Sequence, residues 1–118
     1  MLNFQELDED LAVVGQSLLP SERTALIRYA AENSTDYCHM CGQCRDNCPS
    51  GIETTAILRY LAYHEGYNKV QAAKSAYAQL KPESKASFCQ NCGQCEQNCP
   101  YGVAVRKRIQ EAHNILSA

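Results

Sequence analysis

Eight cysteines in a chain of 118 residues are the side chains whose type and spacing commit them to a chemistry. They fall in two runs, Cys38, Cys41, Cys44 and Cys48, then Cys89, Cys92, Cys95 and Cys99. Each run has the form C-x2-C-x2-C-x3-C-P. Residues 38–52 read CHMCGQCRDNCPSGI and residues 89–103 read CQNCGQCEQNCPYGV, with nine identities in fifteen positions at a constant offset of 51. The chain is therefore two copies of one site joined by connecting structure. Thiolates in such density bind metal or pair as disulfides, and the redox compartment decides between them. Met1-Leu2-Asn3-Phe4-Gln5-Glu6 has neither the basic start nor the apolar middle of a secretory signal, so the expectation is a cytoplasmic protein with reduced, metal-bound cysteines.

The spacing selects the metal. Three cysteines at two-residue intervals, then a fourth before proline, match the run that holds a [4Fe-4S] cubane. A tight loop wraps three corners, Gly42 and Gly93 give the backbone freedom to pass close to the inorganic core, and Pro49 and Pro100 turn the chain away. Where two clusters are bound, the fourth cysteine ligates the other one. The expected ligand sets are thus Cys38, Cys41, Cys44 and Cys99 for one cluster, and Cys89, Cys92, Cys95 and Cys48 for the other. Structural zinc takes separated Cys pairs or Cys/His mixtures and fits less well. Cysteines three residues apart on a tight loop make poor disulfide partners.

The elements that position these runs read as helix. Leu7, Leu11, Val14 and Leu18 recur at helical spacing, with Pro20 interrupting. A second helix starts near Ser21 and carries Leu26, Ile27 and Ala30 towards Asn33. Ser50-Gly51-Ile52-Glu53 has the form of a capping box, followed by Ile57, Leu58, Leu61 and Ala62 as an inward face and by Gly66 as a stop. Val70, Ala73, Tyr77 and Leu80 make a fourth stripe; Val105, Ile109, Ala112 and Leu116 make a fifth. No segment alternates as a strand does. The expectation is an all-α protein, a small domain of about five helices around two cysteine-rich loops. Residues 1–36 form an N-terminal helical segment and residues 37–118 the two-cluster domain, together one unit. Leu, Ile, Val and Phe number only 22, a thin core that needs the clusters as staples, so loss of iron is expected to unfold much of it.

These residues resemble the alpha-helical ferredoxin family, in which two such runs are separated by helices; 40 residues lie between Cys48 and Cys89 here. The chain looks most like the ferredoxin-type C-terminal extension of certain aldo/keto reductase family oxidoreductases. The phrases that carry this are Leu7-Asp8-Glu9-Asp10-Leu11, Leu19-Pro20-Ser21-Glu22-Arg23, Tyr37-Cys38, Ile57-Leu58-Arg59-Tyr60, Ala76-Tyr77 and Glu111-Ala112-His113. Such enzymes carry a (β/α)8 barrel that nothing in this chain matches, so no catalytic residue is carried over. Similar helical modules serve heterodisulfide reductases and succinate or fumarate oxidoreductases.

The resemblance implies single-electron transfer through two [4Fe-4S] clusters to or from a redox partner or a larger oxidoreductase subunit, with no small-molecule substrate of the chain's own. An iron-sulfur sensor is the competing class. With 11 Lys+Arg against 13 Asp+Glu there is no basic footprint for nucleic acid, and no apolar run approaches the ~20 residues of a membrane span. Arg106-Lys107-Arg108 is either a docking patch for an acidic partner or a solvated helix face. Arg45-Asp46 in the first loop against Glu96-Gln97 in the second offers a charge difference between the sites. Gln43, Asn47, Gln94 and Asn98 are candidates to hydrogen-bond the sulfurs or simply to form the turns. His39 is placed in a loop without a ligand role, and His64 and His113 on helices as packing or surface residues.

Overall fold

The structure is a computed structural model that describes residues 3–118. It divides into two units, the first ending at Glu32 and the second running from Asn33 to Ala118. Met1 and Leu2, part of the expected N-terminal segment, lie outside the described residues.

In the first unit α1 spans Phe4–Ala12, and the Asn3 side chain caps it by accepting from the Glu6 N–H at 2.9 Å. The helix ends at its cap Val13, whose N–H closes on Leu11 O, and Gly15 at φ 80° turns the chain away. The stripe through Leu7, Leu11, Val14 and Leu18 is therefore broken, and no residue of α1 is buried. The second helix, α2, spans Pro20–Asn33. Pro20 opens it instead of interrupting a helix: its missing N–H costs nothing at the first position, and Glu22 Oε2 accepts from the Leu19 N–H at 2.8 Å. No residue of α2 is buried either.

The second unit repeats itself. The one-turn helix α3, Gln43–Asp46, leads to α4, Thr54–Glu65; after α5, Val70–Ala78, and two 3₁₀ turns at Pro82–Ser84 and Ala86–Phe88, the one-turn α6, Gln94–Gln97, leads to α7, Val105–Leu116. Helices α3 and α6, and likewise α4 and α7, stand at the same offset of 51 residues as the cysteines. They also account for the difference from the expected five: of seven helices, the two unforeseen are the single turns inside the cysteine runs. Among the described residues there is no strand, so the all-α expectation holds.

The packing follows the periodicity. Helix α4 lies against α5 and α7, α7 against α5 and the second 3₁₀ turn, and α3 against α6. Ile57, Leu58 and Leu61 of α4, Ala73 and Tyr77 of α5, and Val105, Ile109, Ala112 and Leu116 of α7 are buried together. Tyr77, though apolar in its packing, places its hydroxyl 2.7 Å from His113 Nδ1; burial pushes that phenol up from its ordinary pKa. His113 is thus a core partner.

The start of α4 departs from the sequence reading. The Ser50–Glu53 capping box does not form: Glu53 makes no side-chain cap, and its N–H donates to Ser84 O at 3.0 Å. Instead Gly51 takes φ 65°, and Thr54 N–H closes on Ile52 O at 2.8 Å around Glu53 at φ −76°, ψ 56°. That is an inverse γ-turn. The same turn precedes α7, where Val105 N–H meets Val103 O at 2.8 Å around Ala104 at φ −72°, ψ 67°. At the far end α4 stops at Gly66 as expected, but Gly66 stays at φ −87° and Asn68 makes the left-handed step at φ 52°.

Candidate functional site

Each cysteine run is a left-handed step followed by one helical turn. Gly42 at φ 83° and Gly93 at φ 80° start α3 and α6. The single turns are closed from the side: Asn47 Nδ2 donates to Gln43 O at 2.9 Å and Asn98 Nδ2 to Gln94 O at 2.8 Å. The two asparagines therefore serve the backbone of the turns and not the sulfurs. This geometry puts the third cysteine of each run, Cys44 and Cys95, in the interior, while the second, Cys41 and Cys92, is exposed. Cys38, Cys48, Cys89 and Cys99 are half-buried, and none of the eight is in a disulfide.

Because α3 lies against α6, the runs meet and exchange their last members. Cys38, Cys41, Cys44 and Cys99 line one cavity, together with Leu58, Val103 and Val105. Cys89, Cys92, Cys95 and Cys48 line another, with Ile52, Thr54 and Ile109. The walls of the two cavities correspond at the repeat offset: Leu58 with Ile109, Val103 with Ile52, Val105 with Thr54. Electrostatics agrees with the first grouping. Burial pushes the Cys38 thiol up, and the nearby Cys44, Cys41 and Cys99 push it the same way. Burial likewise raises the Cys95 thiol to about 11, with Glu96, Cys89 and Cys44 adding to it and the Glu96 N–H opposing it. Cys44 thus stands near Cys95, and the two cavities adjoin.

The donor set suits an iron-sulfur cubane. Four thiolates round an apolar hollow supply soft ligands and keep water out. Among the described residues no group of three or more His, Cys, Asp or Glu side chains could hold a single metal ion. Thiolates on one zinc all lie ~2.3 Å from it, whereas a cubane spreads its ligands over its outer corners. The backbone N–H of Met40 reaches Cys38 Sγ at 3.4 Å, and the Thr54 hydroxyl lies 3.1 Å from Cys44 Sγ.

The charged residues singled out in the sequence are largely engaged within the fold. Arg45 pairs with Asp46 at 2.7 Å. Arg106 Nε donates to Glu96 Oε2 at 2.9 Å while the Arg106 backbone N–H donates to Glu96 Oε1 at 3.1 Å, which ties the second loop to the start of α7. Arg108 pairs with Glu65 at 2.9 Å and Glu111 at 3.3 Å, and Lys107 lies 3.9 Å from Glu111. Arg106 and Arg108 are thus tied within the fold while Lys107 stays exposed, and each loop's acidic residue is paired with an arginine. His39 stacks on Tyr101 at 3.7 Å and on Tyr37 at 4.8 Å, with Nε2 3.0 Å from Ser34 O, so it walls the first cavity.

Sequence reasoning missed Thr54, Val105, Leu58, Ile109 and Tyr101 as wall residues. The signal for four of them was available: the repeat continues past residues 52 and 103 as matched residue size after the identities stop.

The 4Fe-4S dicluster domain family matches residues 30–100, more than half of the chain. An H(2):CoB-CoM heterodisulfide,ferredoxin reductase subunit of Methanothermobacter thermautotrophicus is 26% identical over 112 residues, covering 92% of this chain and 55% of its own. A CoB--CoM heterodisulfide reductase iron-sulfur subunit of Methanopyrus kandleri is 27% identical over 84 residues, covering 71% of this chain and 40% of its own. The probable glycolate oxidase iron-sulfur subunit of Bacillus subtilis is 30% identical over 84 residues, covering 67% of this chain and 18% of its own. The chain spans about half the length, or less, of these relatives. No solved structure matches. No helix among the described residues is long and apolar enough to cross a membrane.

Proposed function

The chain belongs to the 4Fe-4S dicluster domain family, and from that premise we propose that it is a two-cluster electron-transfer module working as the iron-sulfur subunit, or part of one, of a larger oxidoreductase. One observation carries the reading: three cysteines of each run share a cavity with the last cysteine of the other. Cys38, Cys41, Cys44 and Cys99 hold one [4Fe-4S] cluster; Cys89, Cys92, Cys95 and Cys48 hold the second. When bound, such a group supplies a one-electron couple near the surface.

The chain's residues do the rest. The thiolates anchor both halves of the repeat across each other, so the two loops cannot separate while metal is held. Leu58, Val103, Val105, Ile52 and Ile109 exclude water from the sulfurs. The exposed Cys41 and Cys92 give each site an edge from which an electron can reach a partner. All eight thiolates are engaged, which leaves no place for a substrate. We read residues 1–36 as a helical segment and residues 37–118 as the two-cluster domain, acting together in the reducing cytoplasm. The relatives named above are iron-sulfur or reductase subunits, which favours a component of a heterodisulfide reductase-like assembly over the extension of an aldo/keto reductase-like enzyme.

Iron and sulfide counts on anaerobically purified protein test the cluster number; about eight of each per chain are expected from two cubanes. Connectivity is tested in a background where Cys89 and Cys92 are serine, so that only the first site loads. There Cys99→Ser is expected to abolish the remaining EPR signal of the reduced protein and Cys48→Ser to leave it. The opposite pattern refutes the crossed assignment.

A further inference from the structure

The repeat places its two sites in nearly equivalent surroundings, and one of the departures is a hydroxyl on a ligand sulfur. Thr54 stands in the wall of the second cavity and is 1% exposed, but its Oγ1 lies 3.1 Å from the sulfur of Cys44, which lines the first. A thiolate only accepts, so the hydroxyl donates to it. The residue at the repeat position is Val105, 1% exposed, nearly the same shape, and without a donor. Cys95 is faced by the backbone N–H of Glu96 and, among the described residues, by no side-chain hydroxyl. Ser50, in the wall of the second cavity, bonds no sulfur among the described residues.

We propose that Thr54 tunes the site formed by Cys38, Cys41, Cys44 and Cys99 to a higher reduction potential than the site formed by Cys89, Cys92, Cys95 and Cys48, so that an electron entering the chain comes to rest on the first site. The inference rests on the two-cluster reading above. Reduction adds negative charge that spreads onto the ligand sulfurs, and a donated hydrogen bond stabilises that charge. It acts from a buried position, where its strength is not diluted by water.

Competing asymmetries are weaker. Arg106 in the wall of the second cavity is matched by Glu96 at 2.9 Å, and Arg45 near the first by Asp46 at 2.7 Å. The Glu96 carboxylate still acts on Cys95; its negative charge disfavours reduction of the second site and so works in the same direction as Thr54. The Met40 N–H on Cys38, at 3.4 Å, acts in the same direction as Thr54. Thr55 Oγ1 is 4.0 Å from Cys44, too far to replace it.

The test is a redox titration of the loaded chain followed by EPR, which resolves two midpoints. Thr54→Val keeps the shape and removes the donor; it is expected to lower the higher midpoint so that the distribution of one electron between the sites shifts about tenfold, or about 59 mV for a one-electron couple. Thr54→Ser keeps the donor and is expected to keep the midpoint. Val105→Thr puts a hydroxyl at the repeat equivalent of Thr54; bonding Cys95 as Thr54 bonds Cys44, it is expected to raise the lower midpoint. If Thr54→Val loads less iron, Val105→Thr decides alone: a rise supports the proposal and no rise overturns it. Midpoints that ignore both substitutions, or that move together, also overturn it. Fewer than two clusters in the unaltered chain defeats the two-cluster reading itself, whereas two clusters with indifferent midpoints defeat only this inference.

Discussion

Glu96 is the residue through which the second cysteine loop is joined to α7, and its removal has a magnitude that the geometry sets. One carboxylate oxygen accepts from the Arg106 backbone N–H at 3.1 Å, inside the first turn of α7, where the helix has no cap of its own. A capping bond of this kind is worth ~1 kcal/mol. The other oxygen accepts from Arg106 Nε at 2.9 Å, with the side chains 42% and 27% exposed. At that exposure water screens the pair, and ~0.5 kcal/mol is a fair share. Glu96→Ala is thus expected to cost ~1.5 kcal/mol, and Glu96→Gln, which keeps an acceptor for the N–H, ~0.5 kcal/mol. In anaerobic urea denaturation of the loaded chain, a slope of ~1.5 kcal/mol/M turns the first cost into a midpoint lowered by ~1 M. The signal is far-UV circular dichroism read alongside the visible absorption of the bound metal. If Glu96→Gln lowers the midpoint as far as Glu96→Ala, charge and not capping joins loop to helix; if neither lowers it, the latch is decorative and the reasoning fails.

Other consequences are equally open to measurement. Gly93→Ala meets no protein atom within 4 Å but must hold φ near 80° in the wall of the second cavity, so it is expected to cost at least ~1–2 kcal/mol through backbone strain; Gly93→Asn, better suited to that backbone region, is expected to relieve part of the strain in the same denaturation assay. Tyr77→Phe removes the hydroxyl 2.7 Å from His113 Nδ1 and is expected to lower stability by ~1 kcal/mol, read as a lower urea midpoint with the iron content unchanged. Removing iron with a chelator under reducing conditions is expected to reduce the helical circular dichroism of the chain strongly, since the cavity walls Leu58, Val105 and Ile109 are also its core; a chelated chain with its full helical signal contradicts that coupling.

Much of the fold was legible because its signals are local. Val105, Ile109, Ala112 and Leu116 recur at helical spacing, and those four are the buried residues of α7. The N-terminal stripe misled because periodicity says which side of a helix is apolar, not whether anything covers it: Leu11, Val14 and Leu18 are all exposed. The capping box misled for another reason. Its residues were right, but Gly51 at φ 65° turns the chain before Ser50 can reach the helix, and Glu53 gives its N–H to Ser84, which is distant in sequence. That Arg106 pairs with Glu96 and Arg108 with Glu65 could not be read from the spacing of the basic triplet, since those contacts are made by the packing of the loop and of α4 against α7.

By itself the sequence determined the two-fold repetition and the expectation of which cysteines gather, because the spacing of cysteines along a backbone dictates what a loop can wrap. It also determined the longer helices of the second unit, through the spacing of their apolar residues. The tertiary structure alone decided which charges pair with one another, what walls each cysteine-lined cavity, and that the hydroxyl of Thr54 meets Cys44 while Val105 stands in the corresponding place. Those are contacts between segments brought together by the packing of α3 on α6 and of α4 on α7, and the offset of 51 residues marks which positions correspond but not what each of them touches.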